Sequence, residues 1–424
     1  MRQPLQRRAG LACALAGASA LAALAFAAPA VAQPAPAPSD PVATGRYLAI
    51  LGGCADCHTA DAGAYAGGRA FKSGMGTVVS ANITPDPETG IGTWSADDFY
   101  RALHEGKSRK VGHLYPAFPY PHFTKITRAD SDALFAFLRT LTPVRDNPKR
   151  NQLSFPLNIR GFMAVWNGLF FRKGTFQPDP AQGAQWNQGA YIVEALAHCA
   201  ACHSPRNGLQ AEVASREFHG GVVEGWWAPN LTSEPRTGLG NWSQQDLVDF
   251  LKTGRNRLSA GGGPMAGVIA GSTSHMDDAD LNAIAAYIKS RPASPPLPAP
   301  RIDGASVIRG QTIFAARCAG CHGADGKGGF ARYAPILDGS ALAQAPDPAT
   351  VVRYLLDGSR TPVTVAHPTA DRMPAFAATL DDRALADVAS YIRAAWSNRA
   401  SSVKPAEVAR LRAMSAAADK QSSD

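Results

Sequence analysis

Three copies of one pattern constrain this chain more than any other feature: Cys54-Ala-Asp-Cys57-His58, Cys199-Ala-Ala-Cys202-His203 and Cys318-Ala-Gly-Cys321-His322. Apart from Cys13, near the start, they use every cysteine of the 424 residues. C-x-x-C-H is the attachment signature of c-type haem. The two thiols add to the two vinyl groups on one porphyrin edge, and the histidine that follows places an imidazole beneath the iron. A disulfide framework would give no role to the histidine after each pair. A zinc ribbon wants two pairs about 15 to 20 residues apart, whereas these are separated by more than a hundred. A thioredoxin-like site would be single and needs no adjacent histidine. Three covalent haem c groups, each with one iron, are therefore expected, with His58, His203 and His322 as proximal ligands.

Each motif heads a repeat. A short helical pattern precedes it and carries a glycine, Gly45, Gly189 or Gly310, eight to ten residues before the first cysteine. Such a glycine lets a second helix cross closely. Each repeat closes on a helix with apolar residues at i, i+3, i+4 and i+7: Leu134/Phe137/Leu138/Leu141, Leu281/Ile284/Ala285/Ile288 and Leu385/Val388/Ala389/Ile392. Acidic residues precede each set, as suits a first helical turn. The first two repeats also share a block, Asn82-Ile-Thr-Pro-Asp-Pro-Glu-Thr-Gly-Ile-Gly-Thr-Trp94-Ser against Asn230-Leu-Thr-Ser-Glu-Pro-Arg-Thr-Gly-Leu-Gly-Asn-Trp242-Ser, which reads as a duplication. The expected organisation is a helical haem domain at 40–143, a linker at 144–185, a second domain at 186–291, a proline-rich spacer at 292–304, a third domain at 305–398 and a mobile tail at 399–424. Within that tail, 403–414 has the alternative of a docking helix.

The first 32 residues read as an export signal: a basic start, an apolar run made mostly of Ala and Leu, and Ala30-Val31-Ala32 before the cleavage point. Removing Arg2, Arg7 and Arg8 lowers the net charge of +8 by three and leaves no dense basic cluster, so a nucleic-acid surface is not indicated. No later apolar run reaches the length of a membrane span. Residues 157–171 come closest, interrupted by Arg160 and Asn167, and read as a packed linker helix rather than a membrane contact. Forty glycines and 32 prolines predict long loops and short helices.

The second axial ligand decides what each haem can do, because an iron with Met or His in that position relays electrons and an open one binds small molecules. In the third repeat Met373, in Met-Pro-Ala-Phe, stands twelve residues before Leu385. In the second, Met265 is preferred over Met276, which sits at the mouth of the closing helix. In the first, Phe118 occupies the position equivalent to Met265 and cannot ligate iron; His122, at the offset of Met373, is the proposed distal ligand. The alternatives are Met75 or an open site. His104, His113, His198, His219, His275 and His367 read as surface residues or supports behind the ligands.

Together, the three motifs, the N-I-T-P-D-x-x-T-G-I-G block, L-Y-P-A-x-P-Y, F-P-L-N-I-R, W-N-x-G-A-Y-x-V-E and M-P-A-F resemble the triheme cytochrome c subunit of bacterial membrane-bound dehydrogenases, the alcohol, gluconate and sorbitol group, over nearly the whole mature chain. The resemblance implies an all-α, loop-rich fold of three tandem class I cytochrome c-like domains, each with one covalent haem c. It implies an electron-transfer subunit without a catalytic site of its own. A flavin- or quinoprotein dehydrogenase would be its periplasmic partner, with a small third subunit possible, ubiquinone or a terminal oxidase would be the acceptor, and association with the membrane's outer face would be peripheral. Its proximal ligands map to His58, His203 and His322, and its distal methionines to Met265 and Met373. The Phe-Pro-Tyr-Pro-His122-Phe variant resembles instead cytochromes that accompany exported molybdenum hydroxylases acting on aldehydes or N-heterocycles. The rival from another class is a haem peroxidase with an open first haem.

Overall fold

A computed structural model describes residues 40–73, 76–328 and 334–421. The expected export signal and Met75 lie outside the described residues. Three pairs of crossing helices organise the rest. Pro41–Leu51 packs on Arg128–Arg139, Ala184–Tyr191 on Asp278–Lys289, and Gly304–Arg317 on Asp382–Ala394.

Local chemistry starts these helices where they start. Asp40 accepts from the Val42 amide with Pro41 in the first turn, Thr127 accepts from Asp130, Asp303 from Ala305 and Ser306, and Asp381 from Ala384. The apolar stripes of the closing helices are buried as their spacing requires: Leu134, Phe137 and Leu138, then Leu281, Ile284 and Ile288, then Leu385, Val388 and Ile392. The glycines set the crossings. A Cβ on Gly45, Gly189 or Gly310 would overlap the backbone carbonyl of Ala133, Ala283 or Asp387 respectively. In the second repeat the leading helix runs on into a π-turn, Ile192–Leu196, whose apolar residues are all buried.

The duplicated block has a physical reason for its sequence. Asn82 and Asn230 each turn the chain by accepting from the amide two residues on, Thr84 at 2.9 Å and Thr232 at 2.8 Å. Asp86 and Glu234 accept from the amides of Thr89 and Thr237 in the same way. Ser95/Asp98 and Ser243/Asp246 then form reciprocal capping boxes that open the helices Ala96–Glu105 and Gln244–Thr253. Gly106 and Gly254 end these helices with φ of 61° and 78°, a left-handed conformation that favours glycine.

The architecture departs from the expected all-helical chain in short antiparallel ladders. Ala70–Ser73 pairs with Gly76–Val79, which also pairs with Gln152–Leu153; Gly221–Val223 pairs with Trp226–Ala228, and Ser359–Arg360 with Arg372–Met373. The β-branched runs Thr77-Val78-Val79 and Val222-Val223 favour extended backbone there.

One apolar core spans the first and second repeats, joining Leu48, Phe137 and Leu138 to Ile192, Leu196 and Tyr287. The third repeat has its own, around Phe314, Val352, Leu385 and Val388. A smaller cluster under the linker holds Tyr120, Leu157, Met163, Trp166 and Ala211. It anchors the linker helix Phe162–Phe170.

Beyond Asn398 the sequence leaves a mobile tail with a docking helix at 403–414 as its alternative, and the structure forms a helix there. Pro405–Gln421 is a helix with Val408 and Leu411 in the core of the third repeat. Arg412 clamps it, bonding to Asp382 at 2.7 Å and to the carbonyls of Ala377 and Leu380. Among the described residues, no helix is long and apolar enough to cross a membrane.

Candidate functional site

Each C-x-x-C-H motif forms a single helical turn, Cys54–His58, Ala200–His203 just after Cys199, and Ala319–His322 just after Cys318. A turn of helix carries residues i and i+3 on one side. Both cysteines of a pair therefore face the same way. All six are free thiols, so the disulfide reading finds no bridge among the described residues. Burial pushes the thiols of Cys54 and Cys199 up to about 12 and those of Cys202 and Cys318 up to about 11, and the neighbouring cysteine of each motif adds to this for Cys54, Cys199 and Cys318. Among the described residues, no group of three or more His, Cys, Asp and Glu is placed to hold a metal ion.

The three motif histidines share one geometry. Nδ1 of His58 lies 2.7 Å from the Ala81 carbonyl oxygen, Nδ1 of His203 lies 2.7 Å from that of Pro229, and Nδ1 of His322 lies 3.2 Å from that of Pro335. A carbonyl oxygen only accepts, so Nδ1 carries the proton and Nε2 presents its lone pair. Burial lowers the pKa of all three rings, which favours the neutral form. An oriented neutral imidazole with a free Nε2 is what an axial iron ligand requires. The residues therefore fit a covalent haem at each turn, by donor set and by tautomer.

The other expected ligands divide. Met373 ends the short strand Arg372–Met373 and is half-buried against the third core. Met265 lies in the first turn of the helix Pro264–Gly271, also half-buried. Met276 is fully buried in the shared core. His122, the expected distal ligand of the first haem, has both ring nitrogens beside protein oxygens. Its Nδ1 lies 3.1 Å from the Glu194 carbonyl oxygen and its Nε2 lies 2.8 Å from a Glu212 carboxylate oxygen. Phe118 packs on Phe123 with ring centroids 5.3 Å apart.

Sequence reasoning missed the polar seam that takes up His122. Lys125 bonds Glu194 at 2.6 Å, Tyr287 donates to the other Glu194 oxygen, and Arg291 pairs with Glu217 at 3.3 Å. His198, expected at the surface or behind a ligand, is held with φ of 40° just before Cys199, its ring 5.4 Å from that of Phe123. Gly53, with φ of 57°, holds the same place before Cys54. That left-handed residue at equal offsets was the available signal. His104 is buried and stacks on Tyr100 at 4.8 Å.

The first and second motifs are brought together. Asp56, between Cys54 and Cys57, packs so closely on Gly271 that a Cβ there would strike its carboxylate, which sets the first motif against the helix bearing Met265. Burial raises Cys202, and the smaller charge effects on it include that of Cys57. The third repeat joins the second through Trp227, whose amide and carbonyl both bond the Thr350 hydroxyl at 2.9 Å, and through the Arg255–Asp371 ion pair.

A C-x-x-C-H turn cradled by crossing helices, with its imidazole oriented for iron, defines a c-type cytochrome. Residues 307–396 match the family model for cytochrome c, and residues 184–288 that for cytochrome C oxidase, cbb3-type, subunit III. Among curated relatives, a nicotinate dehydrogenase subunit of Pseudomonas putida is 42% identical over 82% of this chain, which spans 30% of that longer protein. The cytochrome c subunit of the quinone alcohol dehydrogenase of Gluconacetobacter polyoxogenes is 37% identical over 88% of this chain and 84% of its own length. The gluconate 2-dehydrogenase cytochrome c subunit of Pantoea cypripedii is 37% identical over 88% and 89%. The chain belongs to the family of dehydrogenase cytochrome c subunits, and its work is electron transfer.

Proposed function

We propose that this chain holds three haem c groups in three tandem domains and passes single electrons from the catalytic subunit of a periplasmic dehydrogenase, of the alcohol or gluconate type, to ubiquinone or a terminal oxidase. The observation that carries the reading is the threefold Nδ1-to-carbonyl bond of His58, His203 and His322, which leaves Nε2 free each time. Cys54 and Cys57, Cys199 and Cys202, and Cys318 and Cys321 would hold the porphyrins. Met265 and Met373 would be the sixth ligands of the second and third irons. Haem iron supplies a one-electron couple whose potential follows its axial ligands. The polypeptide fixes the imidazole tautomers through Ala81, Pro229 and Pro335, and Asp56 against Gly271 keeps the first two sites adjacent.

A second reading concerns the donor alone. The 42% identity to a nicotinate dehydrogenase subunit favours a partner that oxidises an N-heterocycle. The deciding experiment is mass spectrometry of what copurifies with the tagged protein from gently solubilised membranes. A flavin- or quinoprotein dehydrogenase supports the first donor, and an N-heterocycle hydroxylase the second. The intact mass of the chain tests the cofactor count, since three thioether-bound haems are expected and any smaller number overturns the three-site reading.

A further inference from the structure

One aromatic ring sits where the loops of Met265 and Met373 approach each other, at the seam between the second and third repeats. Gly262 stands three residues before Met265, and a Cβ on it would strike the hydroxyls of Ser359 and Tyr354. Ser359 is the ladder partner of Met373. A Cβ on Gly263 would strike the Trp226 indole. The loop that carries Met265 is thus reduced to glycine at both positions where it meets the seam, which permits the close approach.

Trp226 faces the third repeat as well. The Arg353 guanidinium carbon lies 4.7 Å from the centroid of its ring, and the Tyr354 ring lies 5.5 Å away. Arg353 is buried and is held there by Asp357 at 2.6 Å. Trp226, Gly263, Arg353, Ser359 and Met373 line one cavity of about 850 Å³. The strand Trp226–Ala228 also reaches back to the second attachment turn. It pairs with Gly221–Val223, the Gly220 amide donates to the His203 carbonyl at 2.8 Å, and Pro229, directly after the strand, supplies the carbonyl beside His203 Nδ1. The ring is therefore fixed by the second attachment turn, by the loop of Met265 and by the third repeat together.

We propose that Trp226 is the bridge through which electrons cross between the second and third haem sites, a positioning residue for electron transfer and not an iron ligand. This deepens the proposed function and rests on its reading of three haems with Met265 and Met373 as sixth ligands. The indole places a π-system between the two methionine loops. A cation over the face of an aromatic ring is attracted to its electrons, so Arg353 opposes the loss of one, and the ring conducts without itself being oxidised. One electron leaves one iron and arrives at the other; no bond forms or breaks and no proton moves.

The test is flash photoreduction of the purified holoprotein by a soluble flavin, following the rate at which the electron redistributes between the second and third haems, with redox titrations and thermal melts of the same samples. Trp226→Leu should slow the redistribution severalfold and leave the haem potentials in place. Trp226→Phe, which keeps a ring between the loops, should restore most of the rate. Thr350→Val removes both bonds from that hydroxyl to the Trp227 backbone and loosens the seam without touching the Trp226 ring. It should lower the melting midpoint and keep a rate near that of the wild type. A Trp226→Leu protein that redistributes at the wild-type rate overturns the proposal. So does equal slowing by all three variants, because the seam then acts only as a spacer. Fewer than three haems in the intact mass, or spectra unmoved by Met265→Ala and Met373→Ala, would overturn the proposed function and this bridge with it. An unslowed Trp226→Leu protein with three haems and the expected ligands overturns the bridge alone.

Discussion

His122 and Glu212 meet at 2.8 Å across ninety residues of chain, tying the loop before the first closing helix to the loop after the second haem-attachment motif. The contact is largely enclosed. Burial works against the charge of Glu212, but the hydrogen bond and charge of His122 outweigh it and hold the carboxyl below its ordinary value.

His122→Ala should therefore act on stability and leave the irons alone. Removing the imidazole strands a mostly buried carboxylate at a cost of about 1 to 3 kcal/mol. Denaturant unfolding should show the loss, while the absorption and electron paramagnetic resonance spectra of the holoprotein stay those of the wild type. A change in the spin state of one haem would return His122 to the coordination sphere.

On the proposed assignment, Met373→Ala would remove the sixth ligand of one haem and convert it to a high-spin form with a lower potential, read by redox titration followed in the visible spectrum. Met276→Leu is the control. That side chain lies in the core, so a swap of similar volume should cost less than about 1.5 kcal/mol and shift no potential.

The crossing glycines should tolerate no side chain. Gly45→Ala, Gly189→Ala and Gly310→Ala each drive a Cβ into a backbone carbonyl of the partner helix. Each should lower stability by roughly 3 kcal/mol or more, since neither backbone can yield without displacing a core. Thermal melts of the three variants would check this. Gly161→Ala, with open space around its Cβ, should behave as wild type.

Acid should loosen the third repeat through Asp387. The buried carboxylate accepts from Ser306 at 2.6 Å and takes two bonds from Arg309 at 2.7 Å. Burial opposes its charge, but these bonds prevail and lower its pKa in the folded chain. The stability it confers is thus fully present above the unfolded aspartate value of about 4 and is lost as pH falls through the lower folded value. Asp387→Asn should be less stable at pH 7 by about 1 to 3 kcal/mol, and its stability should fall less steeply below about pH 4. Parallel curves for the two proteins would refute the assignment.

How much of the molecule is legible in its sequence follows from how local each signal is. The attachment motifs are written in five adjacent residues, and the glycine crossings and apolar stripes follow helical period, so Gly45, Gly189, Gly310 and the three closing helices can be read directly. The sequence prefers Met265 over Met276 only because Met276 sits at the mouth of a helix whose position is marked by its apolar stripe. The surroundings of His122 are not legible because its offset from Leu134 is local information, whereas Glu194 and Glu212, which lie beside its nitrogens, are 72 and 90 residues away. The tail helix stands in the sequence only as an alternative, because the segment is alanine-rich and weakly amphipathic. Among the described residues of the tail, Val403, Val408 and Leu411 reach the core, and the clamp from Arg412 to Asp382 depends on a helix thirty residues earlier.

The shared core of the first two repeats has a consequence for how the molecule is made. Tyr47 bonds Asp280 at 2.7 Å, a closure over 233 residues, and Asp56 rests on Gly271. Contacts so distant in sequence form late. If the chain is exported and takes haem as proposed, the earliest attachment motif would emerge well before the residues that enclose it, and its thiols would stay open to ligation until the second repeat closes the site. The order of the chain thereby sets a window for cofactor insertion.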